Sequence, residues 1–512
     1  MLSQTEHRTR RIARNTLMLY IRMFVLMLVG LYTSRVVLAA LGENDFGVYN
    51  VVGGVVAMFA IISGALNSAV QRFITFALGK EDKEVLGKVY STAVMVQALI
   101  SLLVVAVAEP VGLWFIDNEM TIEPSRIPAA RLVLHFSLLS FVINLMSVPQ
   151  MATITAHERM SAYAWIGVLD GLLRLVVALL IAHSSSDRLV MYAMLMTGVV
   201  LLVRLSYGIY CRLNFDECRF KPIFDKNLIK EMFSFAGWNF IGVTSGVLRD
   251  HGGNILVNLF AGPAVNAARG VAMQLNGAVQ GFVTNFMTAV NPQITKSYAS
   301  SDHAYMYNLI RKSARMSYYL LFILALPVLF NTEYIMGLWL KDVPEHSVLF
   351  VRLFLIFALT ESLSNPLITA QLATGRIRDY QLVVGGLQLL NLPVSYLFLR
   401  AGAVPEVTVM VAIALSLICL SARLVMLKRM IGLDVMSFLR RVCVNVAVVT
   451  ALAIIPPLFL CQYIPDTVWG FAVSVTVCVF SSALSIFVFG LSAKERADVA
   501  MILRKKLAYD KD

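Results

Sequence analysis

Arg249, Asp250 and His251 stand in succession inside an apolar run that reaches from about Ser234 to Ala261. A guanidinium, a carboxylate and an imidazole are groups that bind phosphate, pair with cations or exchange protons, and water-poor surroundings strengthen their charge interactions. Consecutive helical positions diverge by about 100°, so the three side chains point in three directions, and Arg249 at least is expected to face a cavity. Gly252 and Gly253 follow, permitting either local unwinding or the close approach of another helix.

Other ionisable residues lie in similarly apolar stretches. They are Arg22 and Arg35, then Asp170 and Arg174 four apart on one helical face, then Arg204, Arg269, Arg352 and Glu361. An arginine at mid-bilayer costs roughly 2.5–3.5 kcal/mol on insertion scales, so such residues face a cavity, meet a partner or reach for the interface. Asp170–Arg174 also fits a neutralising structural pair, and Arg22, Arg35, Arg204 and Arg269 fit interfacial arginines. Arginines outnumber acids in this set. Guanidinium binds phosphate bidentately and stays charged when desolvated, which suits a large anionic substrate with an apolar tail. A cavity for organic cations should instead show acids and aromatic faces without arginine.

The elements that position these groups follow from composition. Of 512 residues, 58% are hydrophobic and 14% charged, with mean hydropathy +0.75, whereas soluble domains carry about 25% charged residues. Fourteen apolar blocks of roughly 17–28 residues, each near the length that crosses a 30 Å hydrocarbon core, predict a polytopic all-α membrane protein. The net charge of +12 is a topology signal. With both termini on one side, the loops of that side hold 26 Lys and Arg, and the opposite loops hold only Arg126, Arg188 and Lys341 beside eleven acids such as Asp45, Asp187 and Asp342. By the positive-inside rule both termini are cytoplasmic. A long first span after "HRTRRIARN" argues against a cleaved signal peptide. The six cysteines lie in spans or a cytoplasmic loop without metal-ligand spacing and read as packing residues. The loops are short and lack a Walker sequence, which argues against an enzyme or an ATP-driven pump. "VVGGVV" at 51–56 reads as a site of close helix packing.

The chain also repeats itself. At an offset of 220, Gly42 meets Gly262, and Ala69, Val70, Ile74 and Thr75 meet Ala289, Val290, Ile294 and Thr295. At 217, Ser147, Pro149, Arg159 and Tyr163 meet Ser364, Pro366, Arg376 and Tyr380. The repeat pairs six spans with six and leaves two over. It predicts two pseudo-symmetric six-helix lobes plus two C-terminal helices, divided as 1–211, a linker at 212–233, 234–428, and 429–512 with a basic tail. Both halves begin on the same side, an arrangement that suits alternating access around a central cavity.

The opening "RRIARNTLMLYIRMFVLMLVGLYTSRVVLAALGENDFGVYNVVGGVVAMFAIISGALNSAVQRFITFALGK" and "GLWLKDVPEHSVLFVRLFLI" at 337–356 resemble bacterial polysaccharide flippases of the Wzx type, within the multidrug/oligosaccharidyl-lipid/polysaccharide exporter superfamily. The resemblance implies translocation of undecaprenyl-diphosphate-linked oligosaccharide across the bacterial inner membrane for O-antigen, capsule or exopolysaccharide synthesis, with polymerase and assembly proteins as further partners. Cavity arginines of relatives lie in the first and seventh helices, which brings forward Arg22, Arg35 and Arg249, with Arg174 and Arg269 as further diphosphate candidates. Asp170, Asp250, His251 and Glu361 are the candidates for coupling to a proton or Na⁺ gradient. Asn67, Gln71, Asn276 and Asn285 are the candidates for sugar contacts. No metal or organic cofactor is expected. The competing readings are a cation-coupled multidrug exporter, which many relatives serve with a first-helix carboxylate absent here, and an integral-membrane glycan polymerase or ligase, which needs a substantial outward loop.

Overall fold

The computed structural model describes residues 4–497 apart from 58, 121, 185–186, 222–224, 341–342, 465–466 and 494. Lys341, Asp342 and most of the basic tail lie outside the described residues. Those described form helices and no strands. In chain order the long ones are α1 (Gln4–Ala57), α2 (Ala60–Gly79), α3 (Lys83–Asn118), α4 (Ile127–Ala156), α5 (Met160–Ala182), α6 (Arg188–Asn214), α7 (Lys226–Ala299) and α8 (His303–Phe330). They continue with the short α9 (Thr332–Trp339), α10 (Ser347–Thr374), α11 (Arg378–Arg400), α12 (Val407–Ile431), α13 (Val435–Tyr463) and α14 (Val468–Gly490). Among the described residues, thirteen helices are long and apolar enough to cross a membrane. One is the 74-residue α7, which bends at Gly262 and contains two of the fourteen expected spans. The protein is multi-pass.

Local chemistry sets the ends of these helices. Asp82, Asp187 and Asp225 cap α3, α6 and α7 by accepting two backbone N–H bonds each, and Thr467 caps α14. Gly432 ends α12 in the left-handed conformation at φ 73°. Inside α1 and α7 the repeat-related Gly42 and Gly262 adopt φ 77°, ψ 168° and φ 85°, ψ 175°, a region essentially confined to glycine. Chain direction therefore changes there without a loop. Pro110, Pro149, Pro327 and Pro366 stay inside α3, α4, α8 and α10 and recur at the 217 offset. "VVGGVV" does not mark a close approach at Gly53, where an added Cβ would meet open space.

The chain forms two compact units. One comprises residues 1–244, 288–302 and 375–378, and the other 245–287, 303–374 and 379–512. In the first, α4 packs against α2, α3 and α6, while α1 lies along α5. Its interior includes Val37, Val177, Ala178, Ile181 and Val199 from α1, α5 and α6. In the second, α10 packs against α8 and α12, and α13 and α14 pack together beside α8. Water exclusion cannot drive helices together within lipid, so close packing and polar contacts between helices carry association there.

A buried acid organises one end of the first unit. Glu158, in the α4–α5 link, adopts φ 60° with its side chain only 2% exposed. Lys296 Nζ and Gln293 Nε2 donate to its carboxylate at 2.7 and 2.6 Å, Arg11 lies 3.5 Å away, and Asn15 donates to its backbone carbonyl at 3.1 Å. The repeat mate of Glu158 is Gly375, also left-handed at φ 76°, with the Arg72 guanidinium occupying the space a Cβ would need. Arg72 also stacks on Phe73 and Phe76, 4.7 Å from each ring centre.

Candidate functional site

In the second unit, α7 carries Arg249 before its bend, and Gln280 and Thr284, one turn apart, after it. The bend at Gly262 brings both stretches to one cavity of about 120 Å³, closed by Phe357, Glu361 and Asn365 of α10. Gln280–Thr284 and Glu361–Asn365 are each four apart, so each pair presents two polar groups on one face of its helix.

Arg249 is 15% exposed. Its Nε donates to Asp250 Oδ1 at 2.9 Å and its Nη2 to Oδ2 at 3.3 Å, and its guanidinium carbon stands 4.8 Å from the Phe357 ring centre. Two of its five N–H donors thus serve Asp250, leaving others for a ligand. Glu361 also lines the cavity and interacts electrostatically with Arg249. No described side chain closes a hydrogen bond or ion pair on Glu361. The cavity thus holds a guanidinium with spare donors, an uncommitted carboxylate and four neutral polar groups, Gln280, Thr284, Ser362 and Asn365, a set that can take a phosphate-sized anion with its bridging waters.

Several expectations are corrected here. His251 is exposed, at the helical spacing of the exposed Ile255 and Leu259, so it shares their apolar outer face and not the cavity. Arg269 is a buried brace: its Nη1 donates to the Asp250 carbonyl at 3.1 Å and to Asn254 Oδ1, tying the two stretches of α7 together across the bend. Gly252 and Gly253 do not unwind the helix. An added Cβ would lie 2.5 Å from Leu392 at Gly252 and 2.5 Å from Arg269 at Gly253, so both permit close approach. Asn276 and Asn285 do not line this cavity. Asn285 donates to the Gly281 carbonyl of its own helix at 2.9 Å. Gln280, Thr284 and Asn365 line the cavity instead, and the four-residue spacings Gln280–Thr284 and Glu361–Asn365 were the available signal. Arg423 of α12 was also missed, an arginine 1% exposed whose Nη1 donates to Ser364 Oγ at 3.0 Å.

The charged residues expected at a site in the first unit each settle on a local partner or stay exposed. Arg22 lies over the Tyr163 ring at 4.6 Å, where the absence of a Cβ at Gly167 admits its guanidinium. Arg174 Nε donates to Asp170 Oδ1 at 2.9 Å, and Arg35 is exposed. Asn67 and Gln71 are half-buried on α2. The larger recess of this unit, about 940 Å³, lies among its loops. It is lined by residues such as Lys83, His157, Arg159, Glu217 and Lys221, and includes none of the expected site residues. There the Glu217 carboxylate lies 2.5 Å from His157 Nε2, with His157 stacked on Phe215 at 4.2 Å. Burial alone would push the Glu217 carboxyl up, but the His157 bond and backbone bonding outweigh it and hold the group below its ordinary value.

Four likenesses fit these observations. Residues 12–298 match the family described as polysaccharide biosynthesis protein. An uncharacterized membrane protein of Bacillus subtilis, EpsK, is 21% identical over 283 residues, covering 55% of this chain and 56% of that protein, so the match spans little more than half of its curated relative. Among solved structures, a multidrug-resistance MATE-family transporter of the MOP superfamily in an outward-facing conformation is 12% identical and covers 83% of this chain and 97% of its own at a TM-score of 0.71. A MOP-superfamily transporter from Pyrococcus furiosus, described by the reverse polarity of its binding pocket, is 10% identical and covers 83% and 96% at 0.70. At that identity the structures show a shared fold. With its family match running over more than half its length, the chain belongs to the polysaccharide biosynthesis protein family and is a multi-pass membrane protein with the fold of MATE-type transporters.

Proposed function

We propose that this protein is a flippase that moves undecaprenyl-diphosphate-linked oligosaccharide repeat units across the bacterial inner membrane by alternating access, with both termini cytoplasmic, for O-antigen, capsule or exopolysaccharide synthesis. The observation that carries the reading is the cavity in which Arg249, half committed to Asp250, faces Gln280, Thr284, Glu361 and Asn365. A buried guanidinium with free donors suits a diphosphate, and neutral polar groups beside it suit the first sugar. The polysaccharide family match supports a glycan-bearing cargo. Asp250 and Glu361 are the groups placed to respond to a proton or Na⁺ gradient, which supplies about 2.3 kcal/mol per charge per 100 mV. Under this reading the chain carries out no covalent chemistry, and its partners are the lipid-linked cargo, membrane lipid and the polymerising machinery.

The uncommitted Glu361, together with the likeness to a multidrug transporter, favours a second reading, a cation-coupled drug exporter. One experiment separates them. In a deletion strain the flippase reading expects lipid-linked repeat units to accumulate on the cytoplasmic leaflet while surface polysaccharide disappears. Wild type should restore export and Arg249→Ala, at equal protein level, should not. Normal surface polysaccharide with altered sensitivity to cationic drugs would transfer the assignment to the exporter.

A further inference from the structure

Arg423 is among the largest fully buried side chains of the protein, and no described carboxylate lies within ion-pair distance of it. Its Nη1 donates to Ser364 Oγ at 3.0 Å, while its Nε has no hydrogen-bond partner. A guanidinium taken wholly out of water without a counter-charge is strongly unfavourable. The Tyr380 hydroxyl is its nearest electrostatic partner, and the acid whose field also reaches it is Glu361, three residues before Ser364 on α10. Glu361 in turn lacks a bonded partner and also feels Arg249. One carboxylate thus shares a cavity with Arg249 and stands one helical turn from the serine that Arg423 bonds.

The internal repeat supplies a control. At an offset of 219, Arg423 falls on Arg204 of α6; at 217, Ser364 falls on Ser147 and Glu361 on Asn144. Arg204 likewise reaches the neighbouring central helix, donating to the Met146 carbonyl of α4. With a neutral Asn144 in place of the acid, Arg204 stays half-buried. With Glu361 present, Arg423 is buried completely. Hydrogen bonding to the neighbouring helix is common to both halves, and the carboxylate and the full burial belong to the second.

We infer that Arg423 is a positioning residue for the cavity, the buried counter-charge that holds Glu361 as a free carboxylate beside Arg249 without letting it capture the Arg249 guanidinium. This inference rests on the anion-site reading of the cavity. With Arg423 in place, the field of Glu361 is shared between two cations and Arg249 keeps donors for phosphate. Without Arg423, Glu361 and Asp250 both act on Arg249 and compete with an incoming anion.

The test uses the full-length protein purified in detergent, with Glu361→Gln, Arg423→Gln, Arg423→Lys and the double variant Glu361→Gln/Arg423→Gln. Thermal unfolding without ligand reads the pair itself. Each single neutralisation should lower the midpoint, the double variant should recover much of the loss, and Arg423→Lys should lie close to wild type. Additive losses in the double variant would overturn the pairing, because residues that share an interaction must depart from additivity. Binding of inorganic pyrophosphate at low salt reads the positioning. Arg423→Gln should weaken it at least five-fold and the double variant should restore it, while Arg204→Gln should leave it unchanged. Equal weakening by Arg204→Gln and Arg423→Gln would reduce Arg423 to a structural brace and overturn the positioning role. Failure of wild type to bind pyrophosphate, with the unfolding cycle still coupled, would instead reject the anion site and leave the pair standing.

Discussion

The two halves of the repeat share a backbone and differ in where they commit charge. Gly42 and Gly262 make the same bend, Glu81 and Ser301, 220 apart, share a left-handed turn near φ 58–59°, and α4 and α10 are the central helices of their units. The side chains hung on this common frame diverge. Arg126 holds both Asp45 and Asp187 in the first half, and the corresponding His346 and Glu406 meet at 2.6 Å in the second. Arg174 is satisfied by Asp170 on its own helix, whereas the second half assembles Arg249, Glu361 and Arg423 from three helices. Duplication reproduces backbone geometry because bends and caps are local. Charge constellations need partners from several helices and can change in one copy alone. The second half thus gathers Arg249 and Glu361 around one cavity, and the first commits its charges to separate pairs and clusters such as Glu158 with Lys296 and Gln293.

Substitutions can break this comparison at graded cost. The largest effect is expected at Glu158. Glu158→Ala leaves Lys296 and Gln293 facing an empty site and should cost about 3–5 kcal/mol, read as a fall in unfolding midpoint. Its mate comes next: Gly375→Ala forces an L-residue into φ 76° and displaces Arg72, an expected loss of about 1–3 kcal/mol. Gly42→Ala and Gly262→Ala should each lose a similar 1–3 kcal/mol. Gly262→Ala should in addition separate Arg249 from Gln280 and abolish pyrophosphate binding, whereas Gly42→Ala should leave that binding intact. Equal loss of binding in both would mean that the anion site draws on the first half as well.

The smallest effect is a pH dependence. Glu217 has a folded value depressed below its unfolded one by the His157 bond and backbone bonding, against burial. Its contribution is therefore complete above about pH 4.3, the unfolded value, and fades as the pH falls through the lower folded value. Glu217→Gln should cost about 1.5 kcal/mol at neutral pH and should flatten the acid limb of a stability profile measured from pH 7 to pH 3. An unchanged acid limb would mean that the His157–Glu217 pair carries no weight.

The all-helical multi-pass character, nearly every span and the repeat were legible in the sequence, because each is written in local periodicity and composition. Cavity membership was not. His251 and Arg249 are two residues apart, yet one joins an exposed apolar stripe and the other a cavity, a choice fixed by which face of α7 meets α10. Arg269 read as a ligand-binding arginine because its partners, the Asp250 carbonyl and Asn254, lie 19 and 15 residues upstream and approach only through the bend at Gly262. Arg423 drew no attention because no acid accompanies it in its span, and the nearest charge in the chain, Lys428, is five residues away and of the same sign.

The sequence by itself determined the membrane-spanning character and the duplicated plan, since these follow from the free energy of apolar segments and from residues that recur at a fixed offset. Tertiary structure alone decided which charges meet. Electrostatic pairing depends on distances of a few ångströms between helices far apart in the chain, and no pattern within one helix fixes those distances.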